Sequence, residues 1–334
     1  MPRPRWRPPD VPFNANHVPA ARTTIRRALA RGDLVPLGGG IFIASAALPT
    51  DAGRRHGLLA LAWQMRRPGY VASHETAALL TGLPLFSTRA AAVQQPRFTR
   101  PPGPGARSLR VPRVAVRELP DTAIAEVLHG LLAGLRHTDS ARTAIDLAAE
   151  LPLPQALMLT DAAARRAALS HSHTASLRGA LDDSVLERAR EPLRKACLSR
   201  VHQRLAVQRA ISLADQRRES PAESCSFGHI IDEGLPSPEC QHALGIRLGV
   251  VYPDFWWEQF GVAGECDGRS KYGHDEAATT ALMAESDRQH GLVEQGIDVV
   301  RWRATDIFHR PELVMAKLRT RLLARGWDGK RLRG

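Results

Sequence analysis

The run Val250-Val-Tyr-Pro-Asp254-Phe-Trp-Trp257 and the run Val262-Ala-Gly-Glu265-Cys-Asp267-Gly268 decide the reading of this chain. Each has the composition of a short strand, and only Glu258 to Gly261 separate them, which predicts an antiparallel hairpin. Side chains alternate along a strand, so Glu265 and Asp267 share a face, and Asp254 on the neighbouring strand can approach them. Carboxylates converging on one face repel each other unless a cation lies between them, and a divalent metal is the usual one. The expectation is a divalent-metal site, Mg²⁺ or Mn²⁺, suited to hydrolysing a phosphodiester. A plainer alternative stands beside it. Asp254 follows Pro253 as a turn residue does, Asp267-Gly268 is a common turn signal, and Glu265 can sit in a salt bridge. Glu265 is the hardest of the three to dismiss, because Val262, Ala263, Gly264 and Cys266 surround it with apolar or small residues. A glutamate in a half-buried strand costs stability unless paired.

Around this hairpin the C-terminal third reads as a small sheet flanked by helices. Ser220 or Pro221 starts a helix that carries Glu223 and stops at Gly234. Gln241 to Ile246 reads as a strand before the hairpin; a helix over about 276–295, the strand Ile297 to Trp302 and a closing helix from Pro311 to Ala324 follow it. Trp256, Trp257 and Trp302 lie in or beside strands and read as packing residues rather than base-stacking platforms.

At 334 residues the chain is long for one ordinary domain. Its 43% hydrophobic and 24% charged content is that of a globular protein, and no apolar run is long enough to cross a membrane. The basic start, Met1 to Pro9, leads into no apolar stretch, so no secretory signal is expected. The cysteines Cys197, Cys225, Cys240 and Cys266 show no zinc spacing, and a reducing cytoplasm is the expected location. The net charge of +12 comes mostly from arginine, whose guanidinium suits phosphate, and it points to DNA as a partner. An arginine-rich composition of GC-rich coding origin accounts for the same number, so charge alone leaves both readings open.

Upstream, residues 19–32 read as a short basic helix ended by Gly32, followed by two apolar strands, Asp33 to Leu37 and Ile41 to Ile43, around Gly38-Gly-Gly40. That is the second half of a winged helix-turn-helix, with Arg22, Arg26, Arg27 and Arg31 placed to meet a phosphate backbone. The bland version is a helix–hairpin unit with a solvated basic face. Helices are expected over 51–66, 73–82 (Ser73 as N-cap, Gly82 as stop), Ser140 to Ala149, Pro154 to Ala168, 176–187 and 189–210. Strand-like runs are Ser108 to Val111 and Val114 to Leu119. His74 reads as a first-turn residue rather than a ligand.

The C-terminal pattern resembles the very-short-patch-repair-like branch of the PD-(D/E)xK restriction-endonuclease superfamily. Glu223, Gly234-Leu-Pro236, Pro238-Glu-Cys-Gln241, Pro253-Asp254-Phe255, Glu265-Cys-Asp267-Gly268-Arg269, Lys271-Tyr272, Asp287-Arg288, Gly296 and Val299-Val-Arg-Trp302 carry it, over about 215–325. Upstream, Arg31-Gly32-Asp-Leu34, Gly40-Ile-Phe42, Ser73-His74, Gly82-Leu-Pro-Leu85, Ala141-Arg-Thr143 and Asp146-Leu147 are similar, more loosely, to proteins of AbiEi-type antitoxin-like description. The resemblance implies that Asp254 and Glu265 hold Mg²⁺ and that Glu223 orients a water or a second ion. It departs from the superfamily at one point: Asp267 stands where the usual lysine would be. Lys271, His274 and Arg288 are the candidates to supply the missing charge or proton relay, and Arg269 and Arg288 join the first-helix arginines as candidate DNA contacts.

The expected architecture is therefore α/β (α+β). It has a basic arm and winged-helix-like module over 1–48, a mostly helical α+β linking region over 49–212, and a restriction-endonuclease-like domain over 213–334. Three functions compete. The first is a metal-dependent endodeoxyribonuclease with Asp254, Glu265, Asp267, Glu223 and Lys271 as its catalytic set. The second is a non-catalytic antitoxin-type DNA-binding regulator with a vestigial nuclease fold. The third is an interaction module with no nucleic-acid role.

Overall fold

The computed structural model describes residues 6–86, 95–104, 107–108, 110, 113–171, 177–179, 182–198, 204–247, 249–267 and 291–330. The chain is a mixed α+β protein of two compact units, Met1–Leu147 and Ala148–Gly334.

The first unit begins with β1 (Phe13–Asn14), α1 (Arg22–Ala30), β2 (Leu34–Gly38) and β3 (Ile41–Ala44), the strands lying in the order β1-β3-β2. Ile25 and Ala28, three apart on α1, turn inward onto Phe13 and Leu34. Arg22, Arg26, Arg27 and Arg31 are thereby left exposed. The expected two-stranded wing gains a third strand, β1, from the N-terminal arm. Next, α2 (Ala52–Arg66) is capped by Asp51, whose side chain accepts the Arg54 N–H at 2.7 Å. Its Leu58 and Ala62 pack on Leu37, Ile41 and Ile43.

A five-stranded sheet follows, in the order β6-β5-β4-β8-β7, from β4 (Val71–Ala72), α3 (His74–Thr81), β5 (Arg97–Arg100), β6 (Arg113–Val116), β7 (Ile124–Glu126) and β8 (Arg136–Thr138), with α4 (Ser140–Ala148) after it. Over residues 71–138 the expected helix 73–82 is α3 and the strand-like run from Val114 overlaps β6, whereas β4, β5, β7 and β8 had no expected counterpart. These strands are two to four residues long, too short for a period of two to register. Gly82 stops α3 in the left-handed conformation, as expected. Ser73 precedes α3 but does not cap it: its hydroxyl meets His74 Nδ1 at 2.9 Å and accepts the Thr99 hydroxyl at 2.9 Å. His74 is fully buried in the first turn.

The second unit opens with α5 (Leu153–His171), α6 (Asp183–Leu198) and α7 (Arg204–Leu213), so the expected 176–187 and 189–210 helices are redrawn, with α6 running through Pro192. Then comes α8 (Pro221–Asp232), N-capped by Ser220. Gly228 lets α8 lie against α5, since a Cβ there would stand 2.4 Å from Pro154 Cα.

The rest is β9 (Glu239–Cys240), β10 (Leu244–Ile246), β11 (Gly249–Val251), β12 (Phe255–Trp257), β13 (Val262–Asp267), β14 (Asp298–Arg303), α9 (Ala304–His309) and α10 (Pro311–Ala324). The expected hairpin is β12–β13, antiparallel, with Phe255 opposite Gly264 and Gly261 in left-handed conformation at its turn. β14 adds in parallel to β13, giving the order β14-β13-β12-β9. Two expected strands are corrected. Val250 to Trp257 is broken at Tyr252-Pro253-Asp254, so that β11 pairs with β10 in a separate ribbon while β12 enters the main sheet. Gln241 to Ile246 is interrupted because Gln241 turns left-handed (φ 53°). Of the helix expected over 276–295, only the end, 291–294, lies within the described residues.

The three tryptophans are buried in this core. Phe255 stacks on Trp302 at 5.6 Å, the Trp257 indole N–H donates to the Pro236 carbonyl at 2.7 Å, and the Trp302 N–H donates to Ser226 at 2.9 Å. A Cβ on Gly264 would stand 2.9 Å from the Trp302 ring and 3.0 Å from that of Trp257, so glycine is required there. This packing pins β13 one residue before Glu265.

Candidate active site

Two of the sequence-predicted acids, Glu223 and Asp254, are joined through Gln241 in the second unit, and Glu265 stands across the strand pair from Asp254. Glu223 stands in the first turn of α8, where the Ser220 hydroxyl accepts its backbone N–H at 3.2 Å. Its own Oε2 accepts the Glu219 N–H at 2.8 Å. This is nearly a capping box, moved back by one residue. Asp254 sits at the break before β12, and the register that sets Phe255 opposite Gly264 carries it alongside Glu265. Its Oδ2 accepts the Cys266 N–H at 2.8 Å.

Gln241 joins the two acids. Its Nε2 donates to Asp254 Oδ1 at 3.0 Å and lies 3.4 Å from Glu223 Oε2. Its backbone N–H donates to the Asp254 carbonyl at 3.3 Å. A non-glycine residue held at positive φ carries strain of about 1–3 kcal/mol and persists only where its surroundings fix it. The amide oxygen, Oε1, is buried and has no hydrogen-bond partner among the described residues. Nothing in the run Pro238-Glu-Cys-Gln241 beyond the resemblance itself singled out this side chain; its turn was hidden inside an expected strand.

The electrostatics follow from these contacts. Burial, and then the charges of Glu223 and Glu265, push the Asp254 carboxyl up to about 8, against the opposing bonds from Cys266 and Gln241. Burial also raises Glu223. Among the described residues no arginine or lysine stands within ion-pair distance of Asp254.

Glu265 is different. The parallel register sets Arg301 of β14 beside it, and Arg301 Nη2 lies 2.8 Å from Glu265 Oε2. Asp267, at the end of β13, is exposed. Among the described residues no three histidine, cysteine or acidic side chains are gathered as a ready metal cage. The donors nevertheless suit a hard cation: Asp254 and Glu223 offer carboxylate oxygens, and Gln241 Oε1 is an orphaned amide oxygen beside them.

Lys271, Arg269, Arg288 and His274 lie outside the described residues. The arginines of α1 belong to the other unit; Arg31 pairs with Asp33 at 2.8 Å. Cys266 is buried, as expected, although its neighbour Glu265 is buried too, and among the described residues all four cysteines are free thiols. No helix among the described residues is long and apolar enough to cross a membrane.

Two relatives were found, both uncharacterized proteins of Mycobacterium tuberculosis, from strains CDC 1551 / Oshkosh and ATCC 25618 / H37Rv. Each is 27% identical to this chain over 205 residues, which is 61% of this chain and 66% of the relative. The match therefore spans just under two thirds of their length. No protein-family model matches the chain, and no solved structure does.

Proposed function

We propose that the second unit is a divalent-cation-dependent endonuclease of restriction-endonuclease-like fold that hydrolyses phosphodiester bonds in DNA. In the same proposal the basic helix and hairpin of the first unit are a winged-helix-like DNA contact. One observation carries the reading: among the described residues Asp254, a half-buried carboxylate beside Glu223 and Glu265, has no cationic partner, and its affinity for a proton is raised. A fold tolerates such a group at a cost, and functional sites are where that cost recurs. The sequence of helix, antiparallel hairpin, parallel strand and helix around it agrees with the resemblance.

In this reading Asp254 and Glu265 hold Mg²⁺ or Mn²⁺. When bound, the ion supplies an acidified water and neutralises charge on the phosphate. The chain's own groups do the rest. Asp254, which holds its proton more tightly than a free carboxyl, would release it on binding the ion. Gln241, held between Glu223 and Asp254, fixes the Asp254 carboxylate. Glu265, paired with Arg301, would supply the second carboxylate. Lys271, His274 and Arg288 are the proposed sources of the charge or proton relay that the usual lysine would supply, and Arg269 and Arg288 are proposed DNA contacts.

The rival reading, an antitoxin-type DNA-binding regulator whose nuclease fold is vestigial, is favoured by the Glu265–Arg301 pair, which neutralises one acid of the set internally. Incubation of supercoiled plasmid with Mg²⁺ or Mn²⁺ separates the two. The nuclease reading expects nicking or linearisation by the wild type, reduced at least 100-fold in Asp254→Asn and in Glu265→Ala. Tight DNA binding with no cleavage of any substrate supports the regulator.

A further inference from the structure

The short segment Leu177-Arg178-Gly179 is tied to the carboxylate centre by its backbone and its side chain. The Gly179 N–H donates to the Gln241 carbonyl at 2.9 Å, and Gly179 takes a positive φ of 85° to make that contact. Leu177 is buried. Between them Arg178 presents a two-pronged bond to Glu219: Nε to Oε1 at 3.1 Å and Nη2 to Oε2 at 2.9 Å. Glu219 is the residue whose N–H holds Glu223. The guanidinium therefore stands at the rim of the Glu223–Gln241–Asp254 group, and about half of it faces solvent (48% exposed).

Three features make this more than a surface ion pair. The same Glu219 also accepts Arg165 Nη2 at 3.5 Å, so a departure of Arg178 leaves the carboxylate paired. The charges of Glu219, Asp254 and Glu223 all act on Arg178, so it is the cation that answers the acidic centre from the solvent side. Among the described residues the buried amide oxygen of Gln241 in the same group has no hydrogen-bond partner, so the centre keeps an acceptor open beside the guanidinium. A guanidinium that can exchange one bidentate carboxylate for one bidentate phosphate needs no reshaping to do so, since both present two oxygens to the same fork.

We infer that Arg178 is a phosphate-binding residue of this site: it swings from Glu219 onto a backbone phosphate of DNA bound across the carboxylate centre. This rests on the nuclease reading for its cleavage consequence, but the binding consequence stands apart from it. Arg178 stood inside a helix expected over 176–187, with no motif around it, so nothing singled it out in the sequence.

The test compares wild type, Arg178→Ala and Arg178→Lys. Anisotropy of a fluorescein-labelled DNA duplex is read in Ca²⁺ over a salt series, and plasmid cleavage is read in Mg²⁺. Arg178→Ala should weaken duplex binding about tenfold or more and lower the salt slope by about one, with Arg178→Lys between, all at an unchanged melting temperature. Cleavage should fall roughly 100-fold in Arg178→Ala. Equal affinity and equal slope in wild type and Arg178→Ala would overturn the inference, as would a loss of binding traced to unfolding. If the wild type binds but does not cleave, the nuclease reading fails and the binding series still decides Arg178. If the wild type does not bind DNA, both fall.

Discussion

Asp215, buried, and Asp254, half-buried, belong to the same unit, yet the fold treats their charges in opposite ways. Asp215 accepts Arg217 through both oxygens, with Nη2 to Oδ2 at 2.7 Å, and neighbouring Arg218 lies against Asp161 with Nη2 to Oδ1 at 2.9 Å. Burial works against the charge of Asp215, but the Arg217 bond and the charges of Arg218 and Arg217 outweigh it and hold the carboxyl below its usual range. Asp254 has a backbone N–H and a side-chain amide where Asp215 has two arginines, and it moves the other way, up to about 8. The first arrangement is closed: its charges are matched within the chain, and Arg218 also lies over the Phe227 ring at 4.2 Å. In the second, among the described residues, no cation matches the charge, and the carboxyl holds its proton more tightly. The partners of a carboxylate, not its burial alone, therefore set the direction in which it moves.

That contrast can be broken most forcefully at Arg218. Arg218→Ala should cost about 3–5 kcal/mol in urea unfolding, because it strands Asp161 without its cation in the interior. Asp254→Asn should cost little or nothing at pH 8, since it removes a charge the fold does not match. Similar losses in the two variants would erase the distinction.

A smaller effect sharpens it. The folded protein holds a proton on Asp254 up to about pH 8, whereas the unfolded chain releases it near pH 3.8. Between those values the folded state binds more protons than the unfolded one, so Asp254 makes stability fall as pH rises, by at most about 1.4 kcal/mol per unit. Its contribution is whole below pH 3.8 and is lost by the time pH passes 8. Asp215, with its carboxyl lowered, contributes the reverse: stability present above the unfolded value and lost as pH falls through the folded one. Urea unfolding from pH 5 to 9 should show a downward slope that Asp254→Asn flattens; an unchanged slope in the variant would contradict the assignment.

Parts of this centre were legible in the sequence. Glu265 and Asp267 share a face by the period of two that any strand imposes, although Glu265 is buried and Asp267, at the strand end, is exposed. Glu223 was legible as a first-helix acid through the resemblance. What stayed hidden depended on contacts distant in sequence. Gln241 bridges two acids only because the chain turns left-handed there and β9 lies beside β12. Arg301 reaches Glu265 through a parallel register between strands separated by residues 268–297. The five-stranded sheet of the first unit escaped notice because strands such as Val71–Ala72 are too short to show any period. The break at Pro253 was visible as a residue, but apolar neighbours on both sides read as one continuous strand.

The most direct test of the open centre is calorimetric titration of Mn²⁺ into wild type and Asp254→Asn at pH 7, in two buffers of different ionisation enthalpy. The account expects Mn²⁺ to bind the wild type with release of up to about one proton per ion, since the cation must displace the one Asp254 retains. Asp254→Asn should lose both the affinity and the proton release. Binding of equal strength in the two proteins, or no binding with Asp254 still titrating near 8, would contradict it.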